Sequence, residues 1–416
     1  MTGGLRFAMV TTFYPPYHFG GDGEAVRRLA HALARRGHQV DVIHDVDAFR
    51  MLSDGAEREP LGEPDGVRVH GLRSSLGSLS CLATQQLGRP LVHGSRIRSI
   101  LHRGFDVIHF HNISLVGGPG ILSYGAGIKL YTAHEHWLVC PTHVLWRHNR
   151  EVCTGRECLR CVLHHRRPPQ LWRSTSLLER QSEHVDAFLT LSEFSAKKHA
   201  EFGFDRPLAV VPPFLAEADA APQASPATAT QHVPPYFLFV GRLETIKGIQ
   251  DVIPLFARDG ATEIWIAGSG SYEPQLRQLA GSGRRVRFLG QQTADQLRQL
   301  YRDAIAVVVP SVCYEVFPMV VLEAFREGTP IVARHLGPFP EIVERSAGGL
   351  LFTTTEELDT ALSSLAADRR LRDNLGQAAA RAFKALWSEP VAMESYFGVI
   401  RDIARRRHLD QILQRA

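Results

Sequence analysis

Apolar and polar residues follow two rhythms along this chain. Short runs that are apolar on both faces recur at 5–12 (LRFAMVTT), 39–45 (QVDVIHD), 67–72, 106–112 (DVIHFHN), 129–135 (KLYTAHE), 186–192 and 208–214. Strands of a parallel sheet read this way, because helices cover both of their faces. Between these runs the period lengthens. In "GEAVRRLAHALARRGH" the apolar residues stand at 26, 29, 30, 33 and 34, one face of a helix, and Gly37 is its stop.

The rhythm breaks at "AEADAAPQASPATATQHVPP" (216–235). A segment so rich in Ala, Pro, Ser and Thr cannot make a core and reads as a linker. Strands then return at 236–242, 263–270, 285–290, 305–311, 330–334 and 348–352, with helical patterns between them and a wholly helical end from about 356. The expected organisation is an α/β chain of two Rossmann-like domains. One spans 1–215 and the other 236–390, joined by the 216–235 linker and followed by a helical tail over 391–416 that packs back on the first. Ligands in such sheets bind at the carboxyl ends of the strands.

Composition narrows the class. The 416 residues are too many for one ordinary domain. With 44% hydrophobic and 22% charged residues the chain is that of a folded soluble protein. No run of 18 apolar residues appears, so no membrane span is expected. The opening "MTGGLRFAMVTTFYPPY" lacks the basic region, apolar core and cleavage site of a secretory signal; it reads as a first strand, and the expected location is the cytoplasm. A net charge of +4 gives little support to nucleic-acid binding. Only five of the 47 basic residues are lysine. With the high alanine content this suggests a high-GC bacterial genome, and it gives weight to any lysine inside a motif.

Several loops carry candidate chemistry. After the first strand, "PPYHFGGDGEAVRRL" holds Gly20, Gly21 and Gly23, which let backbone N–H groups approach a ligand at a helix start; a plain flexible loop reads the same way. In "VGRLETIKG" (240–248) a strand ends at Gly241, and Arg242 and Lys247 stand before the start of a helix. Two cations and a helix N-terminus make a diphosphate cradle, where the alternative is a pair of solvated side chains. "GSG" at 268–270 is only a fragment of a dinucleotide fingerprint. His134, in "TAHEHWLVC", ends a strand where a ligand would sit, although a lone histidine is commonly structural; His109, His111, His136 and His143 lie nearby.

"YEVFPMVVLE" (314–323) places Glu315 and Glu323 eight positions apart. Its helical character begins at Phe317, with Pro318 in the first turn. Eight helical residues span roughly 12 Å, too far for two carboxylates to share a proton. The two read better as separate hooks: Glu315 on a loop, and Glu323 accepting from a vicinal diol such as a ribose. The alternative is one surface and one buried carboxylate. Cys140, Cys153, Cys158 and Cys161 follow C-x12-C-x4-C-x2-C. That cluster suits a closed structural zinc site; free thiols or a redox pair are the other readings. Without a secretory signal, disulfides are less expected.

Together these motifs resemble the retaining glycosyltransferases of family 4, which have the GT-B architecture of two Rossmann-like domains facing across a cleft. The matching pieces run in order: "FGGDGEAVRRLAHALARRGHQVDVI", "TAHEHWLVCP", "VGRLETIKG", "AGSGSY", "VRFLG" and "PSVCYEVFPMVVLEAFREGTPIVA". The resemblance implies a UDP-, GDP- or ADP-linked sugar donor held mainly by the C-terminal domain. Arg242 and Lys247 would hold the diphosphate, Glu323 the ribose and Glu315 the sugar hydroxyls. Gly20, Gly21 and Gly268 would approach the donor. His134 would contact the sugar, and the backbone at Leu289–Gln291 would read the base. Phe317 and the N–H groups of Met319 and Val320 complete the expected substrate-binding set. The family needs no metal or cofactor for this chemistry. Many relatives have Gly where this chain has Pro318, which removes one N–H.

Rival readings are a glycoside hydrolase or phosphorylase, and a non-catalytic nucleotide-sugar-binding protein. The intact cation and glutamate pairs count against the second. The acceptor (a glycan, a lipid-linked sugar or a small molecule) is not legible. The basic segment "HHRRPP" (164–169) reads either as a contact for an anionic or lipid-linked acceptor at the inner membrane face, or as a solvated patch.

Overall fold

The computed structural model describes residues 3–53, 57–59, 61–215, 235–257 and 260–416. Packing divides the chain into two units. One comprises Met1–Pro213 and Ala392–Ala416, the other Phe214–Val391.

The first unit opens with β1 (Arg6–Val10), α1 (Gly21–Arg35), β2 (Gln39–Asp45), α2 (Val46–Leu52) and β3 (Val67–Leu72). Two helices, α3 (Ser78–Leu87) and α4 (Gly94–Leu101), lead to β4 (Val107–Phe110) and β5 (Ile128–Ala133). An excursion then makes a small antiparallel ribbon, β6 (Trp146–Arg147) with β7 (Glu151–Val152), followed by α5 (Cys158–His164) and α6 (Leu177–Ser182). The sheet is completed by β8 (Ala187–Thr190), α7 (Glu193–Glu201) and β9 (Leu208–Val210). Its seven strands are parallel, in the order β3-β2-β1-β4-β5-β8-β9. The residues of β4 and β5 are buried throughout, as a sheet covered on both faces requires.

The second unit contains β10 (Tyr236–Val240), β11 (Glu263–Ala267), α8 (Glu273–Ala280), β12 (Val286–Gly290), α9 (Ala294–Asp303) and β13 (Val307–Val309). Then come α10 (Met319–Arg326), β14 (Ile331–Arg334), α11 (Phe339–Ser346), β15 (Gly349–Phe352), α12 (Thr355–Ala367) and α13 (Arg369–Leu386). Six parallel strands run β12-β11-β10-β13-β14-β15. Two apolar clusters cover the sheet, one built around Phe237, Phe239 and Ile266, the other around Leu238, Val307 and Phe325. The chain ends in α14 (Glu389–Arg406) and α15 (Asp410–Leu413). Within the first unit, Tyr396 of α14 packs on Phe7 and His109, and Arg415 pairs with Asp106 at 2.8 Å.

Each sheet reverses its winding once. The reversal falls between β1 and β4 in the first unit and between β10 and β13 in the second, and there the loops after neighbouring strands diverge and leave a crevice.

Two local expectations change. No α-helix follows Lys247. The connection from β10 to β11 folds as three short 3-10 turns at Thr245–Lys247, Ile249–Asp251 and Ile253–Phe256. Gly248 is left-handed (φ +74), and a Cβ there would stand 1.9 Å from the Pro310 carbonyl oxygen. Close packing against the loop after β13 therefore outweighs helix continuation. Second, α10 begins at Met319 rather than Phe317. Pro318 is the extended residue that caps it (φ −80, ψ 116), not part of its first turn. The proline disfavours helical backbone at Phe317, whose ring packs on Trp387 with centroids 5.9 Å apart. Almost all of the expected 216–235 linker lies outside the described residues.

Gly248→Ala should lower the stability of the second unit by about 1–3 kcal/mol, because it adds both left-handed strain and a backbone clash. Urea denaturation followed by tryptophan fluorescence measures this.

Candidate active site

In the second unit, the loops after β10 and β13 meet at the switch point. The Val312 N–H donates to the Ile246 carbonyl at 2.9 Å, pinning one loop to the other. This brings Lys247 and Glu315 together. The Lys247 Nζ stands 2.6 Å from Glu315 Oε1, and the Ser311 hydroxyl donates to the same oxygen at 2.9 Å. The two charged side chains are only 21% and 16% exposed. Burial opposes both charges, yet each more than offsets the cost for the other. Glu315 ends below the usual carboxylate range and Lys247 above the usual amine range. Arg242 is more exposed and pairs with Glu244 at 2.6 Å, while its charge is still felt by Lys247 and Glu315.

Glu323 lies one helical turn into α10 and accepts from the buried Tyr301 hydroxyl at 2.6 Å. Its other carboxylate oxygen has no partner among the described residues. Met319 and Val320 are the first two residues of α10, so their N–H groups have no partner within the helix. The side chains of Phe317, Met319 and Val320 pack against the core. Gly268 follows β11 where a Cβ would stand 1.9 Å from the Gly241 carbonyl oxygen, and its N–H donates to the Gly290 carbonyl at 2.7 Å. The Leu289 carbonyl accepts from Gln292, and Gln291 donates to Ser269 at 3.1 Å. The strand ends at 241, 268 and 290 are thus stitched into one backbone surface.

In the first unit, Gly20 is extended (φ −174) and caps α1, whose first residue is Gly21. Asp22 follows, accepting from the Gly23 N–H and from the Asn112 side chain at 3.2 Å. His134 is the first residue after β5. Its Nε2 shares a hydrogen bond of 2.9 Å with His111 Nδ1; His109 in turn bonds Tyr396 OH and Thr132 Oγ1. Burial drives all three imidazoles toward neutrality, His109 to about 3, with neighbouring histidines adding to the shift for His109 and His111, and Asp22 and Glu135 opposing it at His134.

Residues 19–217 match the family model described as Glycosyltransferase Family 4, and 222–382 match the model described as Glycosyl transferases group 1. The chain is 29% identical over 364 residues to a glycogen synthase of Mycobacterium tuberculosis, covering 83% of this chain and 82% of that protein. It is 27% identical over 436 residues to the D-inositol 3-phosphate glycosyltransferase of Pseudarthrobacter chlorophenolicus, covering 95% and 96%. The chain belongs to the family 4 glycosyltransferases of GT-B fold. Among solved structures, the sucrose-phosphate synthase of Thermosynechococcus elongatus superposes with a TM-score of 0.72 at 20% identity, over 96% of this chain and all of that one. The Anabaena protein HepE in complex with UDP-glucose superposes at 0.64 with 17% identity, over 96% and 100%.

Of this glycosyltransferase's expected residues, Lys247 and Glu315 come into contact, and Arg242 stands close by. Glu323 is tied instead to Tyr301. Sequence reasoning did not single out Ser311, Tyr301, Asp22 or Asn112; their position beside a strand end was the available signal for Ser311 and Asn112. The cysteines come together in the fold. All four line one narrow pocket with Trp146 and Phe202. Their sulfurs, however, engage local groups: Cys140 bonds Thr142, Cys153 donates to the Gly155 carbonyl, and Cys161 accepts from the His148 N–H. Four thiolates on zinc would lie about 3.8 Å apart, given Zn–S bonds of about 2.3 Å. Among the described residues, three ligand atoms gather within 4.8 Å only at Asp45, Asp47 and His93. Each of these is already engaged: Asp45 caps α2, and Asp47 accepts from Ser74 and His93. Among the described residues, no helix is long and apolar enough to cross a membrane.

The two clusters should respond to acid at different pH. A buried neutral histidine stabilises the fold fully above its unfolded value of 6.5, and that contribution is lost as pH falls below it, because the unfolded chain takes up protons that the folded one refuses. Glu315, depressed below 4.5, loses its contribution only below that value. Melting temperature followed from pH 7.5 downward should therefore begin to fall near 6.5, and His111→Asn should flatten that first decline while leaving the steeper one below about 4.5 in place.

Proposed function

We propose that the chain transfers a sugar from a nucleoside-diphosphate sugar to an acceptor hydroxyl with retention of anomeric configuration. The observation that carries this reading is the ion pair of Lys247 and Glu315 at the β10–β13 switch point, in a chain of this family. A buried ammonium oriented by a carboxylate and a hydroxyl is a preorganised partner for a phosphate leaving group. Arg242, exposed beside Glu244, supplies a second cation. Glu323 serves the ribose diol through its unpartnered oxygen while Tyr301 fixes the other. The backbone at Leu289–Gln291 receives the base. Glu315 and the N–H groups of Met319 and Val320 meet the sugar, as do His134 and the backbone at Gly20 and Gly21. A UDP-linked hexose is the donor to try first, since HepE, of the same fold, is crystallised with UDP-glucose.

In the proposed step the bond between the anomeric carbon and the phosphate oxygen breaks as the acceptor oxygen attacks on the same face. The acceptor's proton passes to the departing phosphate oxygen, and Lys247 and Arg242 stabilise the charge left on the diphosphate. The neutral imidazole of His134 contributes a hydrogen bond to the sugar rather than a charge. No protein nucleophile, metal or cofactor is needed. The cysteine excursion takes no part in this step, and we assign it a structural zinc ion, bound once the four thiols around the shared pocket turn inward.

Nucleotide diphosphates should raise the melting temperature of the wild-type protein. Lys247→Ala and Arg242→Ala should each lower kcat/KM by about 10²- to 10³-fold. A product of inverted anomeric configuration, or near-wild-type kinetics in both variants, would refute the assignment. For the cysteines, elemental analysis of protein purified under reducing conditions should find one zinc per chain, lost in Cys161→Ser; metal-free wild-type protein of unchanged stability would exclude it.

A further inference from the structure

Helix α3 is amphipathic the wrong way round. Ser80, Cys81 and Thr84 face inward and are buried, while Leu79 and Leu82 are 63% and 41% exposed. Leu76, three residues before Leu79, is also exposed and extends the same stripe. The inward face has a clear cause. Cys81 donates to Asp45, and the neighbouring Asp47 accepts from Ser74 N–H, Ser74 Oγ and His93, so polar groups clamp the helix from inside. The leucines are then left outside.

The apolar strip continues beyond the helix. Gln85 lies on the flank of α3 beside Leu82, at about 60° around the axis. It donates to the Pro168 carbonyl and accepts from the Trp172 indole. Leu171, next to Trp172, is 60% exposed, and Leu163 of α5 is 59% exposed. Charge around the strip is mainly positive, with Glu157 and Glu179 just outside its two ends in sequence. Residues 66–105 contain six arginines and no Asp or Glu; residues 158–178 contain four more, with His164 and His165, and again no carboxylate. The small net charge of the whole chain hides this. Glu57 stands 3.5 Å from Arg73 at one edge.

We propose that this leucine and arginine face docks on an anionic phospholipid surface. Protruding leucines enter the headgroup boundary and the surrounding arginines meet lipid phosphates. A second copy of the chain fits poorly, because a symmetric pairing would set this mainly basic face against itself. Nucleic acid fits poorly too, because it offers nothing for the leucines. The proposal is independent of the donor chemistry and uses none of its residues.

Sedimentation of the full chain with vesicles tests it. Protein should pellet with vesicles of phosphatidylcholine and phosphatidylglycerol in equal parts, and stay in solution with phosphatidylcholine alone. The double variant Leu79→Glu, Leu82→Glu should weaken pelleting by at least about tenfold, with an unchanged melting temperature and nucleotide response. Arg89→Glu with Arg96→Glu should do the same without touching the leucines. Wild-type protein that stays in solution would overturn the proposal. So would leucine variants that pellet like wild type, which would mean adsorption by charge alone. A wild-type dimer that the leucine variant dissolves would overturn it as well, by assigning the face to a second copy.

Discussion

A parallel sheet has to be covered on both faces, and nearly everything about this protein follows from that constraint. The strand interiors are mostly apolar, and the charged groups of the candidate site stand where loops leave the carboxyl ends. Where the winding reverses, two such loops part instead of crossing the same face. In the second unit those loops follow β10 and β13, and they are held by one backbone hydrogen bond and by the approach of Gly248 to the Pro310 carbonyl. Lys247 and Glu315 meet because of that contact, though 68 residues separate them.

The two units use opposite electrostatics at equivalent places. At the β10–β13 reversal a cation and a carboxylate are buried together, each making the other's charge tolerable. Removing either would strand its partner in a poorly solvated site. At the β1–β4 reversal and along β5, three imidazoles are kept neutral by burial and linked to one another and to Tyr396. In the proposed transfer the first stabilises the departing diphosphate, and the second places hydrogen bonds on the sugar without introducing another charge.

Polar burial also shapes the outside of the molecule. The Asp45, Asp47 and His93 cluster has ligand-like spacing, but its groups are consumed in capping α2 and clamping α3. Turning α3 to satisfy those carboxylates sends its leucines to the surface. An exposed apolar stripe is here the consequence of an internal hydrogen-bond requirement, since an unsatisfied buried carboxylate costs more than an exposed leucine.

Strand positions were legible from the chain alone, since the largely apolar runs at 39–45 and 330–334 mark strands that are buried along most of their length. So were the motif residues, because glycine, lysine and glutamate at strand ends are unusual enough to stand out in an arginine-rich sequence. Local pattern failed where long-range packing set the backbone. The residues after Lys247 look helical but fold as 3-10 turns because Gly248 must fit against Pro310. The spacing of the cysteines could not reveal that their sulfurs bond to nearby backbone groups. Nor could it assign Tyr301 to Glu323, or Ser311 to the carboxylate that it shares with Lys247. Periodicity reports which face of an element is covered; only the folded chain decides which partner covers it, because hydrogen bonds and ion pairs depend on distances that sequence separation does not encode.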